Sequence, residues 1–167
     1  MGPDIYNVQT IEKGQLSVMA KPVSGEWIEE EFSQISNYGI KKIVSLLEIA
    51  EERTVGLSDE KTLSEKNNMS FVSFPIPDRG LPSSIEKYSN FIKETYTDIS
   101  NGVNTVVHCR AGIGRTGIVA ASILLHTGIE PAAAFKLISE KRGVTVPDTD
   151  EQIEWVIKNR DKIYNDT

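Results

Sequence analysis

Ten residues, His108-Cys109-Arg110-Ala111-Gly112-Ile113-Gly114-Arg115-Thr116-Gly117, join two apolar segments of different character. Before them, Asn104-Thr105-Val106-Val107 is β-branched and reads as the end of a buried strand; after them, Thr116 to Leu125 reads as a buried helix. The loop therefore runs from a strand end into a helix start. Gly112 and Gly114 let its backbone curl so that successive N–H groups face one point, and with the positive end of the following helix that ring of donors suits a tetrahedral oxyanion. Arg115 adds a planar fork matched to two phosphate oxygens. The same surroundings favour the ionised form of a thiol, so Cys109 reads as a nucleophile inside a phosphate trap.

Plainer accounts exist for each residue alone. A lone cysteine after a buried strand is most often a small core hydrophobe, a neighbouring histidine a structural residue, and two glycines an ordinary turn. Their agreement on one mechanism favours the trap. Cys-x5-Arg, preceded by His108 and followed by Thr116, resembles the signature loop of the protein tyrosine phosphatase superfamily. The chain's 167 residues point to the compact, dual-specificity-like branch. The likeness extends from about Gln15 to the last helix and is specific at the loop and a few outlying positions.

That resemblance implies a cysteinyl-phosphate route, with Cys109 attacking, Arg115 and the loop from His108 through Arg110, Ala111, Gly112, Ile113 and Gly114 holding the phosphate, and Thr116 helping the sulfur leave. His108 would brace the loop backbone, and the Arg110 and Ile113 side chains would shape the rim. Breaking a phosphate monoester also leaves an alkoxide or phenolate to be protonated. Asp78 is the candidate acid: it lies 31 residues before Cys109, in a Pro-bounded stretch, Pro75 to Pro82, that cannot continue a strand or helix. Larger relatives carry Trp-Pro-Asp there, whereas Ile76-Pro77-Asp78 lacks the tryptophan; the alternative is an Asp in an exposed turn. Gln152, at the start of the last helix, would position the hydrolytic water, or else is an exposed helical glutamine. One of Glu48, Glu51 and Glu52, which follow a buried strand, would fix the Arg115 fork, or else they are solvated helix charges. His126 has no assigned task.

The chain alternates strand and helix patterns. Strands are expected at Gln15–Ala20, Ile40–Leu47 and Ser70–Phe74 and before the signature loop. Helices fit Glu26–Tyr38, with Ile28, Phe32 and Ile35 on one face and Trp27 packing, a short polar stretch from Ser58 to about Lys66, and Ser83 to about Ser100 with a Ser83/Glu86 capping box. Further helices fit Pro131–Arg142, stopped by Gly143, and a last helix from an Asp148/Glu151 cap to about Tyr164, burying Ile153, Val156 and Ile157. The expected fold is α/β, one phosphatase domain over residues 1–167, with a mostly parallel central sheet of four to five strands flanked by helices in three layers.

A single cysteine excludes an intrachain disulfide, and with two histidines it leaves too few soft ligands for a zinc site, so no metal or cofactor is expected. The formal net charge of −6 disfavours nucleic acid and anionic membranes. No apolar run approaches a membrane span, and no basic-apolar leader pattern is seen, so a cytoplasmic, monomeric protein is expected. The expected partner is a phosphorylated protein or a small phosphomonoester, with phosphotyrosine the first substrate and phosphoserine or phosphothreonine within scope. Three alternatives stay open: a phosphate-binding module with little catalysis, a phosphatase of a phosphoinositide or nucleotide, and a sulfurtransferase-like enzyme. Phosphoinositide enzymes of the superfamily tend to carry lysines in this loop, and none stands between Cys109 and Arg115.

Overall fold

The structure, a computed structural model, describes residues 2–164. A hairpin of β1 (Tyr6–Ile11) and β2 (Gly14–Met19) opens the chain, followed by α1 (Ile28–Asn37), β3 (Lys42–Ser45), α2 (Ile49–Thr54), α3 (Glu60–Lys66), β4 (Ser70–Ser73), α4 (Ile85–Ser100) and β5 (Thr105–His108). Four helices follow: α5 (Gly114–Leu125), α6 (Pro131–Arg142), α7 (Asp150–Lys158) and α8 (Arg160–Ile163). The strands form one sheet in the order β1-β2-β5-β3-β4, antiparallel only between β1 and β2.

The two innermost partners, β3 and β5, are buried along their whole length because helices cover both faces. Their alternating side chains divide the core. Ile43 and Val106, paired in register, join Phe32, Ile35, Leu57 and Leu63 on the α1/α3 side. Val44 and Val107 join Tyr88, Ile118, Ile123, Phe135 and Val156 on the side of α4 to α8. Helix α5 is buried throughout, as a helix wedged between a sheet and four other helices must be.

Because β2, β5, β3 and β4 run parallel and in register, Met19, His108, Ser45 and Ser73 end at the same edge of the sheet. The segments that follow them, which hold Lys21, the signature loop, Glu51 and Asp78, are delivered to that edge together.

Several details differ from the sequence expectation. The strand at Tyr6–Ile11 was not anticipated: it is an edge strand with only Val8 and Ile11 buried, so its apolar signal is weak. Trp27 is 63 % exposed rather than packed, since it precedes α1 at the surface. The N-cap of α4 is Ser84, whose hydroxyl accepts from Lys87 N, not Ser83. The last helical stretch is capped by Thr149 with Gln152, not by Asp148 with Glu151, breaks at Asn159, and leaves Ile157 exposed.

Candidate active site

The signature loop is held open by what its carbonyls do. Cys109 O is bonded by His108 Nδ1 (3.0 Å), Arg110 O by Lys21 N (3.0 Å), Ala111 O by Arg142 Nη2 (3.0 Å), Gly112 O by Arg142 Nε (3.3 Å) and Ile113 O by Gly117 N (2.9 Å). Five consecutive acceptors are thus engaged by groups around the loop. The N–H groups of Arg110 to Ile113 donate to no acceptor among the described residues, and those of Gly114, Arg115 and Thr116 belong to the first turn of α5, where no intrahelical partner exists. The loop can curl this tightly because Gly112 sits at φ +74° with its Cα against β2: a Cβ there would come within 2.5 Å of Met19 O. At Gly114 a Cβ would run into the Asp148 carboxylate, so the cradle wall there has no space for a side chain.

Cys109 lies at the base of this ring, buried, with its sulfur accepting from Thr116 Oγ1 at 3.0 Å. Arg115 is buried as well. Its Nη1 donates to Glu51 Oε1 (2.6 Å) and Ile76 O (2.9 Å), and its Nη2 to Glu51 Oε2 (3.0 Å) and Asp78 Oδ1 (3.1 Å). Of five guanidinium donors, four have protein partners, which leaves Nε–H. Glu51 is the acid that fixes the fork; of the other two candidates, Glu48 starts α2 and Glu52 faces His108 and Glu60. Burial alone would raise the Glu51 carboxyl, but the Arg115 bonds, the Glu48 N–H and the Arg115 and Arg110 charges together outweigh it and hold it below its ordinary value. Burial likewise works against the Arg115 charge, and Glu51, Cys109 and Asp78 together raise its pKa.

His108 is completely buried and bonded at both ring nitrogens, Nδ1 to Cys109 O and Nε2 to Glu60 Oε2 at 2.6 Å. Burial favours the neutral ring, yet the Glu60 carboxylate reverses that preference and its pKa is raised. Asp78 stands at the rim in an exposed turn, as the plain alternative has it, and its carboxylate also reaches Arg115 Nη2. Arg110, also half-exposed, approaches Glu51 Oε2 at 3.7 Å.

Gln152 is fully buried rather than an exposed helical residue. Its Oε1 accepts from Asp148 N (3.1 Å) and Thr149 N (3.3 Å), and its Nε2 donates to Gly80 O (3.3 Å), linking the start of α7 to the loop that carries Asp78.

Residues 17–129 match the family described as "Tc-R-P: Polymorphic toxin system, DSP-PTPase phosphatase". The chain belongs to this DSP-PTPase family. It is 28% identical over 141 residues to cyclin-dependent kinase inhibitor 3 of Rattus norvegicus, covering 81% of this chain and 65% of that one. It is 25% identical over 130 residues to protein tyrosine phosphatase type IVA 3 of Homo sapiens, covering 77% and 69%. The chain thus spans just under two thirds of the rat relative's length. A crystal structure of kinase associated phosphatase, with serine replacing its catalytic-site cysteine, superposes with a TM-score of 0.89 at 21% identity, covering 100% of this chain and 99% of that one. PTPMT1 in complex with PI(5)P gives 0.75 at 15% identity, covering 95% and 96%. At these identities the two structures speak for the fold, which is the phosphatase-like α/β arrangement expected.

The expected site residues of this DSP-PTPase chain converge: the loop, Cys109, Arg115, Thr116, Asp78 and Gln152 all meet at one sheet edge. Two contributors escaped the sequence reading. Glu60 lies 48 residues before His108 and Arg142 lies 30 residues after Gly112, each on a helix that looks ordinary in isolation. Glu60 is a buried charge and Arg142 a partly buried one whose partners are loop carbonyls, and neither burial nor such distant pairing is visible in one sequence.

Proposed function

We propose that this chain is a cysteine-dependent phosphomonoester hydrolase that acts on phosphotyrosine in proteins, with phosphoserine and phosphothreonine as further substrates, through a cysteinyl-phosphate intermediate. The observation that carries this reading is the cradle itself: loop carbonyls engaged from around it, free N–H donors, and a cysteine sulfur at its base with a threonine hydroxyl on it.

In the first half-reaction the phosphate takes the loop N–H groups and the Nε/Nη2 edge of Arg115, displacing Asp78 from Nη2. The Cys109 thiolate forms the S–P bond as the P–O bond to the leaving group breaks, and Asp78 donates its proton to that oxygen. In the second, Asp78 takes a proton from a water that attacks phosphorus, and the S–P bond breaks with Thr116 Oγ1 hydrogen-bonded to the departing sulfur. Gln152 would hold that water by giving up its bond to Gly80 O; its amide already lies against the Gly114 side of the cradle.

The protein substrate rests on the human relative's being a protein tyrosine phosphatase and on the absence of lysine between Cys109 and Arg115. One preparation assayed against phosphotyrosine, phosphoserine and phosphothreonine peptides, phosphoinositides and nucleotides tests it. Preferred release from the phosphotyrosine peptide is expected. Preferred hydrolysis of a phosphoinositide would move the substrate class, and binding of phosphate without release from any substrate would make the chain a phosphate-binding module.

A further inference from the structure

His108 is bonded in a way that restricts its protonation. Cys109 O can only accept, so Nδ1 must carry a hydrogen to engage it at 3.0 Å. Nε2 lies 2.6 Å from a carboxylate oxygen, a separation at which the two groups share a proton. Both side chains are sealed from solvent, at 0% and 1% exposure, and Glu60 Oε1 has no hydrogen-bond partner among the described residues. Glu60 comes from α3, a helix that supplies nothing else to the site.

We propose that Glu60 is a positioning residue of this active site: its carboxylate fixes the His108 ring, whose Nδ1–H keeps the Cys109 carbonyl turned out of the cradle, and holds that ring doubly protonated, which sets a buried positive charge one residue from the thiolate. The assignment rests on the reading of Cys109 as a thiolate nucleophile. Two carboxylates face the ring, Glu60 from α3 and Glu52 from α2; the Cys109 carbonyl is its remaining polar neighbour. Glu52 is itself raised by burial and by the Glu60 charge, which leaves Glu60 as the close counter-ion. A buried imidazolium with no counter-ion would lose its proton. The Glu60–His108 pair is therefore a support that reaches from α3 through the histidine to the loop backbone and the sulfur.

Glu60→Gln isolates the charge. Its amide N–H can donate to Nε2 while Nδ1–H still bonds Cys109 O, so the contacts survive and the ring becomes neutral. The rate of Cys109 alkylation by neutral iodoacetamide, followed by intact mass across pH, reads the thiolate fraction. In Glu60→Gln the midpoint is expected to rise by about one pH unit, giving about tenfold slower alkylation below it. An unmoved midpoint in the folded variant would overturn the proposal.

Histidine-selective ¹⁵N NMR of the wild-type protein needs no Glu60 variant, and with two histidines in the chain the signals are easily told apart. His108 is expected to stay doubly protonated well above about pH 6.5, and to lose its proton at lower pH in Cys109→Ser, where the thiolate is gone. A neutral His108 ring in the wild type at about pH 7.5 also overturns the proposal. Failure of the underlying reading looks different: alkylation of wild-type Cys109 would then leave phosphate release intact.

Discussion

Arg115 Nη2 donates to Asp78 Oδ1 at 3.1 Å, so the phosphate-binding fork and the acid loop touch directly. Glu51 and Ile76 O hold the rest of the terminal N–H groups. In the proposed reaction phosphate and Asp78 compete for that one donor, and phosphate entry would release Asp78 toward the leaving group.

Asp78→Asn separates those two effects. Turnover of a poor leaving group such as an alkyl phosphate should fall about 10²- to 10³-fold, and that of para-nitrophenyl phosphate much less, because an activated leaving group needs little protonation. Vanadate should bind at least as tightly as to the wild type, since a neutral amide is a weaker rival than a carboxyl for Arg115 Nη2. Paired kcat and inhibition measurements check both; equal losses on the two substrates would place the acid elsewhere.

Glu51 and His108 give stability of opposite pH sense. Glu51 is held below its ordinary value, so its contribution is present above about pH 4.3 and is lost as pH falls through the folded-state pKa. His108 is raised, so its contribution is full below about pH 6.5 and is lost as pH rises through the folded-state pKa. Glu51→Ala should cost about 3 kcal/mol at neutral pH, because it strips the buried Arg115 charge of its paired acceptor. Thermal melts of the variant and the wild type across pH check it: the acid-side loss of stability should flatten in the variant.

Gly112→Ala combines a left-handed φ with a Cβ placed 2.5 Å from Met19 O. The loop must move off β2, so phosphate binding and turnover should both fall by more than about tenfold, while the stability loss stays near the 1–3 kcal/mol typical of one strained residue. Activity and melting temperature measured together decide it; an active, equally stable variant would contradict the tight curl.

How much of this was legible beforehand depended on locality. The strand, loop and helix around Cys109 could be read because Val106 and Val107, the glycines and the apolar α5 signal burial within one short stretch. Asp78 was legible from the prolines around it. The hairpin strand Tyr6–Ile11 was not, because only two of its side chains face the core. Helix α2 was not, because it buries no residue and is held through Glu51 by Glu48 N and Arg115. The burial of Gln152 was not legible, since its amide meets a Gly80 carbonyl that arrives from 72 residues away.

Arg142 tests the part of the site that sequence reading missed. Its guanidinium bonds Ala111 O and Gly112 O while stacking 4.5 Å over the Tyr6 ring. Arg142→Ala should raise KM for para-nitrophenyl phosphate about tenfold with a smaller change in kcat, as two loop carbonyls lose their outside donor. An unchanged KM would show that the cradle holds its shape without this brace.

Cys109 is the chain's only cysteine, so an oxidised Cys109 has no second thiol within the chain to protect it. Peroxide should inactivate the protein, bound phosphate or vanadate should slow the loss, and reductant should recover less activity with longer exposure as sulfenic acid goes on to sulfinic acid. Intact mass beside activity checks this; unmodified Cys109 at full activity after treatment would contradict it.

The central claim is covalent: phosphate passes through the Cys109 sulfur. Wild-type protein turning over para-nitrophenyl phosphate, quenched in acid and examined by intact mass and peptide mapping, should carry one phosphoryl group on Cys109, and Cys109→Ser should give neither adduct nor turnover. Sustained phosphate release by Cys109→Ser would contradict it.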